Sequence, residues 1–552
     1  MRAKTKIFLV LIVLLAAFFR FWDLKHVPPG LYPDEAMNGS NALEAIATKE
    51  WKVFYPDNNG REGLFINIQS AFIYFLGASP WALRLPSAVF GTLTVLGLYL
   101  LAEILFRSKS QTETRDLEFG ISRGEFIGLL SSFFLATSFW HLNFSRIGFR
   151  AIMAPFFLVW GLYFFFRFYK DTGSNASQTL SAAFGGLLFG LGFHSYIAYR
   201  IAPLLLVVPL LAKSKFPARP AGGQNPNSKS CFSCICALFL FFAFIAALPL
   251  GLYFFQNPED FFGRTAQISV FNDPSPLAAF LANFVKTVGM FWIYGDANWR
   301  HNFSGAPELS VLVGILFLAG LIFSVKNLVV KKHGGEAEKF NGAFLLSWLA
   351  LMLLPVAISS EGLPHALRAV IVIPPVIILA ALGFDTILTK AQTRLDSKKQ
   401  SRRAAFFISL LLVAVALGTF NKYFNKWAPR PEVYDAFSAR DWNLALWLKA
   451  LPDEVEKYII IRGERIDAKT ITISSQSVLF GTETVLTAER DRKKFHYLSP
   501  EELQDKLALA PQKAVIAFLK SENKEFVASL LKKHPDLKVK VPGDFIVLET
   551  AP

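Results

Sequence analysis

Asp34 and Glu35 are adjacent in "GLYPDEAMNGSNALEAIA", residues 30–47, which follows closely on the apolar run "KIFLVLIVLLAAFFRFW". A carboxylate there can accept a proton from a hydroxyl in a general-base step. Complementary residue types recur further along. "YPDNNGREGL" brings Arg61 and Glu62, and "HLNFSRIGFRA" brings Arg146 and Arg150. "GFHSYIAYR" adds His194, Tyr196, Tyr199 and Arg200. "YGDANWRHNFSGAPEL" adds Asp296, Arg300 and His301, and "SSEGLPHALRA" adds Glu361, His365 and Arg368. Arginine forks match phosphate oxygens, which makes Arg150, Arg200 and Arg368, with His365, the candidate phosphate binders. Aromatic residues around 291–299, with Tyr196 and Tyr199, suit a sugar face or a lipid headgroup. Arg61, Glu62, Asp296, Arg300, His301 and Glu361 complete the set of candidate substrate contacts. A base, phosphate binders and a lipid-facing scaffold together suggest chemistry on a lipid-linked phosphate.

Each residue also has a plainer reading. Asp34 suits the N-cap of the following helix, and Glu35 in its first turn suits the helix dipole. Arg150, Arg200 and Arg368 begin apolar spans and can snorkel to headgroups. His194 and His365 can be helix-end polar groups. Tyr and Trp near span ends form interface belts by default. What favours chemistry is that these residues converge on the loops of one side.

The elements that position them follow from hydropathy. The chain has 552 residues, 53% hydrophobic and only 18% charged, too apolar for an ordinary soluble enzyme. A span needs about 20 apolar residues. About eleven blocks qualify, roughly 6–22, 84–106, 125–142, 151–169, 180–196, 198–212, 231–254, 309–329, 342–358, 368–388 and 405–421. The first lacks a small-residue cleavage site and reads as an uncleaved span. Basic residues gather at the N-terminus and in "RSKSQTETRDLEFGISRGE", "KSKFPARPAGGQNPNSK", "VKKHGGEAEK" and "KAQTRLDSKKQSRR". With the N-terminus cytoplasmic, all these loops fall inside together. The net charge of +15 is then mostly a topology signal, and no nucleic-acid partner is expected. An odd span count puts residues 23–83 and the C-terminus outside, in a plasma membrane. The expected fold class is a polytopic α-helical membrane protein of about 11 transmembrane helices with a C-terminal extracytoplasmic α/β domain. Residues 1–425 form the membrane domain and 426–552 the soluble one. Cys231, Cys234 and Cys236 sit at one span end and read as small apolar residues, not half a zinc site.

In the soluble part, "KYIIIRG", "KTITISS", "KAVIAFL" and "DFIVLE" read as strands. "ARDWNLALWLKAL", "SPEELQDKLALA" and "KEFVASLLKKHP" read as helices, the second with a capping box of Ser499 and Glu502. No nucleotide-binding or hydrolase motif occurs there; acceptor recognition and a structural cover are both open.

"PDEA" after the first span, "GREGL" about 25 residues on, and "ALRLPSAVFGTLTVLGLYLLAEILF" resemble the GT-C membrane glycosyltransferases, notably the protein O-mannosyltransferase and aminoarabinose-transferase relatives. "FSRIGFRAIMAPF", "YIAYRIAPLL" and "EGLPHALRAV" are similar to prokaryotic members. The resemblance covers roughly residues 1–425. It implies a polyprenyl- or dolichyl-phosphate-linked sugar as donor and an acceptor hydroxyl on a protein, lipid or glycan. It further implies Asp34 as base, Glu35 orienting it, and inversion at the anomeric carbon with the polyprenyl phosphate leaving. Some relatives carry an acidic residue in the second outer loop, often tied to a metal. Here "WHLNFSRIGFRAIMAP" has none, and Arg146 and Arg150 stand there instead. No cofactor is therefore assigned; a divalent cation is left open, with Glu62 and His365 as conceivable ligands. The competing classes are a transporter or flippase of lipid-linked sugars and a noncatalytic assembly factor. Charges at span ends on one side, without a duplicated half, favour the transferase.

Overall fold

Long apolar runs form helices because a helix satisfies its own backbone hydrogen bonds where water is excluded. The computed structural model describes residues 2–107, 121–170, 174–212, 232–267, 269–330, 335–392, 398–461, 471–507, 513–519 and 524–550. Among them, eight helices are long and apolar enough to cross a membrane: Pro80–Phe106, Arg150–Tyr169, Asn175–His194, Phe232–Gln256, Val311–Val329, Glu336–Ala357, Val370–Ala391 and Arg403–Trp427. The other expected blocks are also helical. Ala3–Phe21 carries Lys4, Lys6 and Arg20, Arg123–Ala136 has 14 residues, and Ile197–Ala212 is a shorter apolar segment. The chain is a multi-pass membrane protein. Much of the basic connecting sequence, at 108–120, 213–230, 331–334 and 393–397, lies outside the described residues, as does Cys231.

Two compact units divide the chain. The first comprises residues 1–22 and 87–425, the second 23–86 and 426–552. One cut falls after Asn425, and the first long loop groups with the C-terminal residues.

Within the first unit, Val311–Val329 packs on Ile373–Gln392, and Asn175–Leu191 on both Met153–Tyr169 and Phe232–Gln256. Small residues allow the closest approach. A Cβ at Gly320 would collide with the Leu379 carbonyl, and one at Gly383 with the Leu316 carbonyl. Such backbone-to-backbone contact is how membrane helices gain dispersion energy without a hydrophobic driving force. Gly320→Ala or Gly383→Ala is expected to destabilise the unit by about 1–3 kcal/mol through overpacking, read as a lower melting temperature in detergent. An unchanged melting temperature in both variants would contradict this packing.

The second unit contains a hairpin of β1 (Phe54–Tyr55) and β2 (Arg61–Glu62) and a five-stranded sheet. The sheet strands are β3 (Glu456–Ile460), β4 (Phe495–Leu498), β5 (Ala514–Phe518), β6 (Leu537–Lys540) and β7 (Val547–Thr550), in the order β4-β3-β5-β7-β6. β3 runs parallel to β4 and β5, while β7 is antiparallel to β5 and β6. Ile459, Val515 and Ala517 join one core and Tyr458, Ile460 and Ile516 another, so both faces of the central strands are buried. That explains the near-continuous apolar runs there.

Three of the four expected strands form. Lys469 and Thr470 of "KTITISS" lie outside the described residues, and in its described part no strand forms: residues 473–475 make a 3₁₀ turn leading into the helix Gln476–Thr482. The Ser475 hydroxyl donates to Thr472 O (2.7 Å), and the Thr472 and Ser474 hydroxyls lie 2.8 Å apart. Such local bonds compete with a strand ladder. β4 and β6 are strands that the alternation of "FHYL" and "LKVK" was too short to announce. The Ser499–Glu502 capping box is present, with Glu502 N donating to Ser499 Oγ (3.2 Å) and Ser499 N to Glu502 Oε2 (2.7 Å).

Candidate active site

In the second unit the acidic pair lies at the start of the helix Pro33–Thr48. Pro33 occupies the first helical position, where its missing N–H costs nothing. The N-cap is Tyr32 and makes no side-chain cap, so Asp34 is not the cap residue; it stands with Glu35 in the first turn. There both carboxylates suit the positive end of the helix dipole.

The two carboxylates have separate surroundings. Glu35 and Arg84 are fully buried, and the guanidinium grips both carboxylate oxygens at 3.0 Å. Arg84 also donates to Pro28 O (2.6 Å) and Gly30 O (2.8 Å), tying the incoming chain to the helix start. Gly30 has φ +60° and lies so close to Ala439 that no side chain fits. Asp34 is half-buried, and Asn58 Nδ2 donates to its Oδ1 at 2.5 Å. Asn58, Asn59 and Gly60 have φ +52°, +63° and +81°. Asn and Gly tolerate that left-handed run, which swings Asn58 onto Asp34.

Arg61 follows this turn. Its Nη1 donates to Asn38 Oδ1 (2.7 Å) and Nη2 to Asn41 Oδ1 (2.5 Å). Expected as a substrate contact, Arg61 is buried and committed to clamping the hairpin on the helix. Glu62, also buried, pairs with Phe54 across the hairpin. The helix Gln476–Thr482 packs on the same helix, with Ser477 Oγ donating to Leu31 O (2.6 Å). A pocket in this unit is lined by Ser40, Asn41, Glu44, Asp57, Gln476 and Arg490, among others.

In the first unit, Asp296, His301 and His365 come together. Asp296 Oδ2 lies 2.9 Å from His301 Nδ1 and accepts from Ala366 N (2.9 Å); Oδ1 accepts from Asn298 N (2.8 Å). His365 Nδ1 is 3.6 Å from the same Oδ2, and the two imidazoles stack with centroids 4.9 Å apart. Burial pushes the Asp296 carboxyl up, but the His301 hydrogen bond, the charges of both histidines and the Asn298 N–H outweigh it and hold it below the usual range. Glu308 Oε1 accepts from Asp296 N (3.0 Å), and burial pushes the Glu308 carboxyl well above the usual range. Trp140 Nε1 donates to Ala366 O (3.0 Å), and Asn143 Nδ2 to Arg300 O (2.7 Å). The short helix Phe139–Phe144 thus supports both loops. His365, expected on a donor phosphate, sits beside Asp296 and His301.

The candidate phosphate arginines have three different anchors. Arg368 is buried and donates to Ser359 Oγ, Glu361 O (2.6 Å) and Glu361 Oε2 (3.2 Å). Arg200 donates to Phe261 O (2.8 Å) and packs against the Phe254 and Phe261 rings. Arg150 lies over the Tyr196 ring at 5.9 Å. Tyr199 is buried against Gly192, Phe189 and Phe193. It packs, where a sugar-facing role was expected. Arg146 is buried too, donates to Phe19 O (2.8 Å) and lies over Tyr423 and Phe424. His194 Nε2 is 2.9 Å from Ala246 O, which fits a helix-end polar group. Asp34 belongs to the second unit, and Arg150, Arg200, Arg368 and His365 to the first.

Arg84, Asn58, Trp140 and Glu308 support these sites without a role legible in the sequence. A signal existed for Arg84, a lone charge at the head of an apolar run, where charges are costly and need partners.

No known family model and no curated protein matches the chain. Solved structures do. ArnT from Cupriavidus metallidurans bound to undecaprenyl phosphate superposes with TM-score 0.54 at 15% identity, covering 99% of this chain and 97% of that one. Its apo state gives 0.57 at 14% identity, with the same coverages. The arabinofuranosyltransferase AftD from Mycobacteria gives 0.50 at 15% identity, over 100% of this chain and 41% of that one. At such identities the likeness speaks to the fold, and it runs from one end of the chain to the other: the fold is that of the GT-C glycosyltransferases.

Proposed function

We propose that this protein is an integral-membrane glycosyltransferase that moves a sugar from a polyprenyl-phosphate carrier to an acceptor hydroxyl. The observation that carries this reading is the end-to-end likeness to ArnT, whose structure holds undecaprenyl phosphate, in a chain whose first long loop presents the half-buried Asp34. The same likeness favours transfer over transport of a lipid-linked sugar.

In this reading the acceptor O–H proton passes to Asp34. The acceptor oxygen bonds to the anomeric carbon with inversion, the carbon–phosphate oxygen bond breaks, and polyprenyl phosphate leaves. Glu35 acts through Arg84 by fixing the helix start that carries Asp34. Arg150, Arg200 and Arg368 are the candidate partners of the leaving phosphate, whose growing charge guanidinium groups stabilise. The reaction takes place on the extracytoplasmic side, with the N-terminus cytoplasmic and the C-terminal α/β region outside, as the basic loops indicate.

The test is purified protein in proteoliposomes with a panel of undecaprenyl-phosphate-linked sugars and an envelope extract as acceptor source. Mass spectrometry is expected to show a glycosylated product and free undecaprenyl phosphate. Movement of the lipid-linked sugar between leaflets with no product would overturn the proposal. Arg200→Ala and Arg368→Ala are expected to reduce donor turnover about tenfold or more, the scale of a lost charged hydrogen bond. Unchanged turnover in both variants would remove these arginines from the donor site.

A further inference from the structure

We propose that Asp296, His301 and His365 form a binding site for a divalent transition metal such as zinc. Each offers one ligand atom, and those atoms all lie within 4.8 Å of one another. Two imidazoles and one carboxylate are a recurrent donor set for zinc and for non-haem iron, and three protein ligands leave coordination positions for water or a phosphate oxygen.

The surroundings are those of a built site. The ligands come from two loops far apart in sequence, so their meeting is a product of the fold. Asp296 and His301 are buried, and His365 is partly open, giving an ion a way in. Asp296 is oriented from three sides, by Asn298 N and Ala366 N on its oxygens and by Glu308 on its own N–H. Trp140 holds the Ala366 carbonyl, which fixes the loop carrying His365. The Phe144 ring packs against the His301 imidazole, with centroids 5.7 Å apart. Partners that orient ligands in this way tune and preorganise metal sites.

Of the two cation ligands considered on sequence grounds, His365 belongs to this site. Glu62 is absent from it, and all three ligands belong to one unit. The metal reading does not depend on sugar transfer, and its test is independent of catalysis.

The experiment uses full-length protein in detergent, with any affinity tag removed, stripped with a chelator and equilibrated with zinc or cobalt. Elemental analysis is expected to find about one tightly held ion per chain. Cobalt-loaded protein is expected to show visible ligand-field bands, and zinc to raise the melting temperature of the stripped protein. His301→Gln with His365→Gln is expected to lower affinity at least a hundredfold while keeping the gel-filtration profile. If that variant fails to fold, the cobalt spectrum and zinc-induced melting shift of the unaltered chain decide. Stripped parent protein that takes up neither ion, with no spectrum and no melting shift, would overturn the site; so would equal binding by parent and a folded double variant.

Discussion

Asp34→Asn is expected to lower the rate of sugar transfer by about 10²- to 10⁴-fold, the usual contribution of a positioned general base. The substitution is close to isosteric. An amide oxygen can still accept from Asn58 Nδ2, which holds Asp34 at 2.5 Å, so the turn at Asn58–Gly60 has no reason to move. What disappears is the ability to take the acceptor proton. The loss belongs in kcat and leaves donor KM nearly unchanged, because the interaction is made only as the proton moves. Asn58→Ala is expected to act more weakly, about tenfold, by letting the carboxylate wander. Steady-state turnover of a lipid-phosphate sugar separates the two. Parent-like turnover by Asp34→Asn would remove Asp34 from the chemistry while leaving the fold assignment untouched.

Arg84→Met is expected to destabilise the second unit by about 3–5 kcal/mol, since it strands the fully buried Glu35 carboxylate without its partner. It also orphans the carbonyls of Pro28 and Gly30, to which Arg84 donates. Replacing both members, Glu35→Leu with Arg84→Met, is expected to cost clearly less than the two single effects added, because no lone buried charge remains. The double variant still stays below the parent, as the two carbonyls lack a donor. Thermal unfolding in detergent and protease susceptibility of the loop at residues 23–86 read the cycle. Additive effects, or a parent-like melting temperature for Arg84→Met, would show that the pair does not hold the helix start. Transfer by the folded fraction is expected to fall as well, since Asp34 rides on the turn that this pair anchors.

Glu35 and Asp34 illustrate why neighbours in sequence part in role. Both were legible as an acidic pair beside a span. The helix that carries them was legible too, although with Asp34 as its expected N-cap where Tyr32 takes that place. Nothing local said that one would be gripped by an arginine 49 residues away and the other left half-open beside Asn58. Tyr199 and Arg61 show the same limit: their types suit a ligand, and their packing commits them elsewhere.

By itself the sequence determined what depends on short stretches of chain. Runs of apolar residues become helices because the backbone must bond to itself out of water. Ser499 and Glu502 cap a helix through groups three residues apart, and the alternating or continuous apolar patterns of β3, β5 and β7 reach the sheet. Tertiary structure alone decided which charges neutralise one another, that residues 471–475 abandon a strand for a helix entry, and that Asp296, His301 and His365 meet. The physical reason is range: backbone hydrogen bonding and hydropathy act over a few residues, whereas a buried charge takes its partner from whatever element the fold brings alongside it.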